Sequence, residues 1–152
     1  MTFLAALVLA MPLAVPQAAA LRPTLPPTPP DVAARMNGLF AKATPAVRAW
    51  VDSEARKLRS LPQIDGGLVA ADARMAVPAG RPPLTPGQAD VLAAMALYQV
   101  AHDLDSEARL TLDATPEKFA AFQGRKSGIL RTLSNILARI SKTDEAIVQN
   151  LK

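Results

Sequence analysis

The dipeptide Thr-Pro occurs four times in this chain of 152 residues, at Thr28, Thr44, Thr85 and Thr115. The last three stand directly before segments whose apolar residues recur with helical spacing. A threonine hydroxyl can accept a hydrogen bond from a free amide of the first turn, and proline is tolerated at the first helical position, where its missing N–H is not needed. The sequence therefore predicts a helix start after each of these three threonines.

The apolar periodicity predicts an all-α fold, a small bundle of four to five helices. The predicted helices cover residues 31–43, 45–60, 86–110 and 116–152. Ser127-Gly128 is a point where the last of them is expected to kink, which would divide it into two segments. The helical domain as a whole is predicted to span residues 31–152.

Hydrophobicity and charge predict how the last two helices pack. The third is apolar over most of its circumference from Val91 to Ala101, which indicates a buried, central position. The fourth carries an apolar stripe along 116–152 that has to pair with other helices, within the chain or in a partner. Residues 86–113 hold five acids and one base, whereas residues 118–152 hold seven bases and two acids. We therefore expect antiparallel packing with opposite charges at the edges.

Residues 1–20 have the pattern of a signal peptide, in which an apolar stretch is followed by small residues. Cleavage after Ala20 predicts a secreted or periplasmic protein. A retained membrane anchor at residues 3–20 is the alternative. A spanning helix needs about 20 apolar residues, however, and Pro12 and Pro16 interrupt this run.

Two further segments are predicted to be irregular. Residues 21–30 are rich in proline and are expected to form an extended, solvated and flexible spacer. Residues 61–84 are broken repeatedly by proline and glycine, although two or three helical turns can form from Leu68 to Val77. A loop of this length in a small domain is often mobile or functional.

No residue constellation commits the chain to a chemistry, and we predict no catalytic, cofactor-binding or metal-binding residues. Cysteine is absent, which excludes disulfides, thiol catalysis and thiolate metal ligands. His102 is the single histidine. It could act as a general base with Asp103 or Asp105 nearby, but a histidine on a helix surface is the favoured interpretation.

Two short segments resemble ion-binding loops and lack their required residues. Asp103, Asp105 and Glu107 resemble the opening of a calcium loop, but Ala108 and Ala114 stand where that loop needs glycine and glutamate. The run Gly-Arg-Lys-Ser at 124–127 lacks the glycine spacing of a phosphate-binding loop.

The chain has a net charge of +4 and a pI of about 9.9. A basic balance is compatible with affinity for anionic surfaces such as lipid headgroups or wall polymers, but a soluble domain with excess lysine and arginine is the favoured interpretation. We predict no nucleic-acid partner, because no aromatic residue is interleaved with the bases to form a stacking platform.

The segment Leu-Thr-Pro-Gly-Gln at 84–88 is a capping box, with Thr85 as the cap, Gln88 reaching back and Leu84 placed as a hydrophobic staple. The same five residues resemble the Leu-Thr-x-x-Gln signature of the Spy/CpxP-type periplasmic proteins. Those are small exported helical proteins, some of which act as chaperones or stress sensors. The family usually shows a second copy of the motif and long charged residues in the helix that follows, and this chain shows neither.

The sequence thus predicts a non-enzymatic binding or structural protein of the cell envelope or periplasm, which acts through protein–protein contacts. The expected contact surface is the apolar stripe of 116–152, which would bind a protein partner or a second copy. Membrane contact is expected only if residues 3–20 are retained, and a tethered helical domain would then result. The other hypotheses are a chaperone-like or envelope-stress protein, as the resemblance implies, and an enzyme that uses carboxylates near His102.

Overall fold

The computed structural model describes residues 24–111 and 113–151, and all regular secondary structure in these ranges is helical. The helices are α1 Pro30–Lys42, α2 Pro45–Arg59, α3 Gly66–Met75, α4 Pro86–Leu110, α5 Pro116–Leu137, α6 Lys142–Glu145 and α7 Ile147–Asn150. The predicted all-α class is confirmed, with five helices of ten residues or more and two of four residues. The predicted signal peptide at 1–20 lies outside the described residues.

The three helix starts that follow Thr-Pro are confirmed. In each, proline occupies the first turn and the threonine hydroxyl accepts a hydrogen bond from the amide three residues on. The bonds run from Val47 to Thr44 at 3.3 Å, from Gln88 to Thr85 at 3.2 Å and from Lys118 to Thr115 at 3.2 Å. The fourth dipeptide differs, because Pro29 itself is the N-cap residue of α1 and no side chain caps that helix.

Helix α4 lies at the centre of the bundle, as its apolar circumference predicts, and all six other helices contact it. Every residue from Val91 to Leu97 is at most 1% exposed. Four of the buried positions between Ala89 and Ala96 are alanines, and their small side chains allow the neighbouring helices to approach closely.

Helices α4 and α5 pack antiparallel with opposite charges facing each other, as expected. The ammonium of Lys126 in α5 donates to both carboxylate oxygens of Asp105 near the end of α4, at 2.6 and 2.8 Å. At the other end of the pair, Arg139 Nε lies 3.4 Å from Asp90 Oδ2. Exposed pairs of the second kind contribute at most about 1 kcal/mol, so they orient the helices more than they stabilise them.

Two expectations about the last predicted helix are corrected by the structure. Helix α5 continues through Ser127-Gly128 without interruption, and it ends at Leu137 instead of continuing to the C-terminus. The chain turns there because Ser141 starts a new helix. Its hydroxyl accepts from the Asp144 amide at 3.2 Å, and the Asp144 carboxylate accepts from the Ser141 amide at 3.0 Å.

The segment 61–84, predicted to be irregular, contains α3, which begins two residues before the expected turns and ends at Met75. The carboxylate of Asp65 caps this helix by accepting from the Gly67 amide at 2.7 Å. Gly66 lies so close to α5 that a Cβ atom there would come within 2.9 Å of Ile136 Cδ1. Helix α3 is therefore packed tightly against the bundle at its first turn.

Both ends of the described chain are attached to the core. Leu25 is 9% exposed and belongs to the hydrophobic core, so the described part of the expected spacer, residues 24–29, is not wholly solvated. At the other end, Thr44 donates from its amide to the Val148 carbonyl at 2.8 Å and from its hydroxyl to the Leu151 carbonyl. One threonine thus caps α2 and also holds the C-terminal segment.

The apolar stripe of 116–152 is used inside the bundle. Leu133, Ile136, Ile140 and Val148 of the stripe are at most 8% exposed in the core. Other large residues of the stripe are partly buried against it: Phe119, Phe122, Leu130, Ile147 and Leu151. Most of the stripe therefore packs against the chain's own helices. Among the described helices, none has the length and apolar run needed to cross a membrane.

Candidate functional site

A groove with a volume of about 460 Å³ lies between the C-terminal part of α2 and helix α3. Its walls are mostly apolar, and charged side chains lie at their edges. The lining residues are Lys57, Leu58, Leu61, Gln63, Ile64, Asp65, Leu68, Val69 and Asp72. The size is within the range of about 300–1,000 Å³ that is usual for ligand sites.

The rim of this groove is unusually apolar for a surface. Leu61 is 38% exposed and Leu68 is 67% exposed, and both line the groove. Met75 is 77% exposed and follows Leu68 by seven residues, which places it on the same face of α3 two turns further on. Among the described residues, the one other large hydrophobic side chain with comparable exposure is Leu110. Three of the four therefore belong to a single surface, which we call the α3 face.

Three charged side chains meet at the edge of the groove, between α2 and α3. Lys57 donates a hydrogen bond to Asp72, and its ammonium lies 3.6 Å from Glu54 Oε1. Glu54 is only 6% exposed, and its Oε1 accepts no hydrogen bond from the described residues. Two carboxylates therefore share one ammonium, which is itself 55% exposed.

The pKa values of the two carboxyl groups in this cluster are shifted in opposite directions. Burial raises the pKa of Glu54 and the neighbouring Asp72 adds to the rise, while Lys57 opposes it. The hydrogen bond from Lys57 lowers the pKa of Asp72, and the same bond raises the pKa of Lys57. The buried carboxyl group is thus the one that holds its proton more tightly.

A second groove of about 320 Å³ lies between the ends of α2 and α4. In it, Arg59 lies 3.7 Å from an Asp103 oxygen and 3.6 Å from a Glu107 oxygen, and Leu110 is 81% exposed at its edge. His102 is not part of the lining. Its side chain is 67% exposed, with Nδ1 3.9 Å from Asp103 Oδ1. The favoured interpretation of His102 as a surface histidine is confirmed.

The three acids that resemble a calcium loop diverge in the structure. Asp103 accepts a hydrogen bond from Gln99 at 2.9 Å, Asp105 pairs with Lys126, and Glu107 faces the second groove. Across residues 24–111 and 113–151, no three His, Asp or Glu side chains are grouped so that they could hold a metal ion.

The two bases of the Gly-Arg-Lys-Ser run at 124–127 also have structural partners. Lys126 is 2% exposed and pairs with Asp105. Arg125 reaches the C-terminal end of α2, where one terminal nitrogen lies 2.7–3.0 Å from three carbonyl oxygens, those of Leu58, Arg59 and Leu61. It thereby adds a charged donor at the end of α2, where the Leu58 carbonyl also accepts from the Leu61 amide at 3.1 Å.

The Leu-Thr-Pro-Gly-Gln segment forms the predicted capping box. The Thr85 hydroxyl accepts from the Gln88 amide, and the Gln88 side chain accepts from the Thr85 amide at 3.0 Å. Leu84 is 7% exposed in the core. A Cβ atom at Gly87 would overlap the carboxylate of Asp144, so glycine is needed there for the close approach of α6. All the residues of the motif named here therefore have a role in starting or packing α4.

Sequence reasoning did not identify Glu54 and Asp72 as site residues. One signal for Glu54 was present, since it lies with Val47, Val51 and Leu58 at spacings of four, three and four on the buried face of α2. A carboxylate on such a face needs a partner. Asp72 could not be found in this way, because it lies in the segment that carried no clear periodicity.

No known protein family, curated protein or solved structure matches this chain.

Proposed function

We propose that this chain is an exported, non-enzymatic helical protein of the cell envelope or periplasm that binds a protein partner through the groove between α2 and α3. The observation that carries the proposal is the α3 face, where Leu61, Leu68 and Met75 are exposed beside an apolar groove. Exposed apolar side chains that cluster in this way mark interaction surfaces, whereas scattered ones do not. Export is supported by the signal-like pattern of residues 1–20.

The binding surface proposed here differs from the stripe of 116–152 suggested by the sequence. Exposing that stripe would require α5 to separate from α4, and side chains such as Leu133, which is fully buried, would enter water. At about 25 cal/mol per Å² of apolar surface, that separation is costly. The α3 face is exposed already, so a partner can bind it without opening the bundle.

Export is tested by the intact mass and the cell fraction of the protein recovered from its native host. A soluble species that begins at Leu21 agrees with the proposal. A full-length species in the membrane fraction would instead identify a membrane-tethered helical domain, with residues 3–20 as its anchor.

Binding is tested by placing a photo-crosslinking amino acid at Met75 and, as a matched position, at Leu110. A discrete crosslinked partner is expected from Met75 and not from Leu110, and Leu68→Asp should abolish it. Equal crosslinking from both positions, or no effect of Leu68→Asp, would refute a specific site on the α3 face. Leu110→Asp is the control for an added surface charge.

A chaperone-like function is the second candidate, and Met75 favours it. Methionine is flexible and polarizable, and promiscuous binding surfaces use it to adapt to different partners. In this form the α3 face would bind unfolded clients in place of one partner. The chain should then suppress aggregation of an unfolded client at an equimolar ratio, and Leu68→Asp should remove that activity. No suppression by the native chain would exclude this candidate.

A further inference from the structure

We propose that the segment bound in the groove is a helix with an apolar face and one basic side chain, and that the carboxylates of Glu54 and Asp72 receive this base. The inference rests on the proposed function and specifies the chemistry of the partner. It follows from the charge of the groove, from the buried carboxylate behind it and from the spacing of the apolar residues on its rim.

The charge of the groove is opposite to that of the chain. Its lining holds two carboxylates, Asp65 and Asp72, and one ammonium, Lys57; the carboxylate of Glu54 is not part of the lining but lies 3.6 Å from that ammonium. With all four ionised, the site is net negative by two charges, in a chain whose net charge is +4. Asp65 is partly compensated, since it caps α3 through the Gly67 amide. The other two carboxylates share the single ammonium of Lys57, which leaves one negative charge in excess there.

Glu54 supplies an independent reason to expect a cation. A buried carboxylate normally accepts several hydrogen bonds, because an unpaired buried charge is costly. Here Oε1 accepts none from the described residues, and the nearest ammonium, on Lys57, is 3.6 Å away and already donates to Asp72. A second ammonium or guanidinium that enters beside Lys57 would give each carboxylate its own partner. A basic side chain on the bound segment has the required charge and donors.

The spacing of the rim favours a helix as the bound segment. Leu68 and Met75 are separated by seven residues, which is about 10 Å along the axis of α3 at 1.5 Å per residue. The apolar surface therefore extends past the groove itself, in which Met75 takes no part. An amphipathic helix laid along α3 can place residues seven apart against both side chains, as in other helix-in-groove complexes. A small ligand held in the groove would leave Met75 uncovered.

The probe for this inference is a displayed library of amphipathic helices with leucine fixed at two positions seven residues apart and the flanking positions randomised. Sorting against the purified native chain should enrich arginine or lysine at one flanking position. For a selected helix, replacing that base by glutamine should weaken binding by about tenfold, as measured by fluorescence anisotropy.

Charge variants of the chain complete the test. The double variant Glu54→Gln and Asp72→Asn should bind the basic helix about tenfold more weakly and should no longer distinguish it from its glutamine counterpart. Both substitutions keep the side-chain volume, so the bundle is expected to fold. Asp52→Asn is the matched control, because it removes an equivalent charge from an exposed position of α2 and should leave binding unchanged.

The possible results separate the inference from the proposed function. If the selected helices bind without a basic residue and Leu68→Asp abolishes that binding, the inference is wrong and the proposed function stands. If no helix is enriched on the native chain relative to the Leu68→Asp variant, both the inference and the proposed function are wrong. Dimerisation of the native chain that Leu68→Asp abolishes, measured by sedimentation, would identify a second copy as the occupant and also overturn the inference.

Discussion

The buried pair of Lys126 and Asp105 provides a quantitative test of how α4 and α5 are held together. Lys126 is 2% exposed, and its ammonium donates to both oxygens of Asp105. The Asp105 side chain is 29% exposed. The two partners therefore differ in access to water, and the cost of losing one should depend on which partner remains.

We expect Asp105→Ala to be the more damaging single change. It leaves an ammonium without a partner in a site that excludes water, which costs about 3 kcal/mol or more when a buried pair is broken. Lys126→Met replaces the base by an apolar side chain of similar length and leaves a carboxylate that water can reach. Its cost should be about 1 kcal/mol.

The double variant distinguishes pairing from simple loss of packing. With both groups removed, no charge remains unpaired, so the loss should be about 1 kcal/mol, not the sum of about 4 kcal/mol for independent sites. The free energy of unfolding is measured by urea titration followed by far-ultraviolet circular dichroism, with the denaturant slope checked for constancy. Additive losses, or a larger loss for Lys126→Met than for Asp105→Ala, would refute the reasoning.

Four further perturbations have definite expected outcomes. Arg125→Ala should cost about 2 kcal/mol by urea titration, since the carbonyls at the end of α2 lose their charged donor, and Arg125→Lys should recover only part of it. Gly87→Ala should cost about 1–3 kcal/mol through overlap with Asp144, and the same change made in the Asp144→Ala variant should be neutral or stabilising relative to that variant. For Glu54, whose pKa is raised above its ordinary 4.5, the stabilising effect is full below that value and is lost as pH rises through the raised pKa; Glu54→Gln should therefore gain stability relative to the native chain over that rise. The pKa of Asp72 is lowered below 3.8, so its contribution to stability is present above that value and is lost as pH falls through the lowered pKa. Asp72→Asn lacks this group, so its urea midpoint should fall less at acid pH than that of the native chain. A parallel fall of the two midpoints would contradict this.

The helix starts could be predicted from sequence because their cause is local. Thr44, Thr85 and Thr115 each act on an amide three residues away, so the signal and its effect lie in the same short segment. The central position of α4 could also be predicted, because a helix that is apolar around most of its circumference has to be buried. Both kinds of prediction depend on the residues of one helix alone.

Features that depend on two distant segments could not be predicted. Arg35 and Glu145 are 110 positions apart, yet their side chains meet at 2.6 Å. The end of α5 at Leu137 depends on such contacts, because Arg35 donates to carbonyls just beyond and at that end. The groove is of the same kind. Its apolar lining comes from the end of α2, from the connection that follows and from α3, a helix in a segment where proline and glycine obscured the periodicity.

Three arginine side chains donate hydrogen bonds to the carbonyl groups at the ends of helices in this bundle. Glycine in the left-handed conformation commonly ends a helix, but among the described residues only Gly80 has a positive φ, and it lies outside every helix. Guanidinium groups take that role at three ends: Arg48 donates to carbonyls at the end of α1, Arg125 at the end of α2 and Arg35 at the end of α5. Each adds a positive charge where the helix dipole is negative. Part of the net charge of +4 thus has a structural use inside the fold, which weakens the case that it evolved to bind an anionic surface.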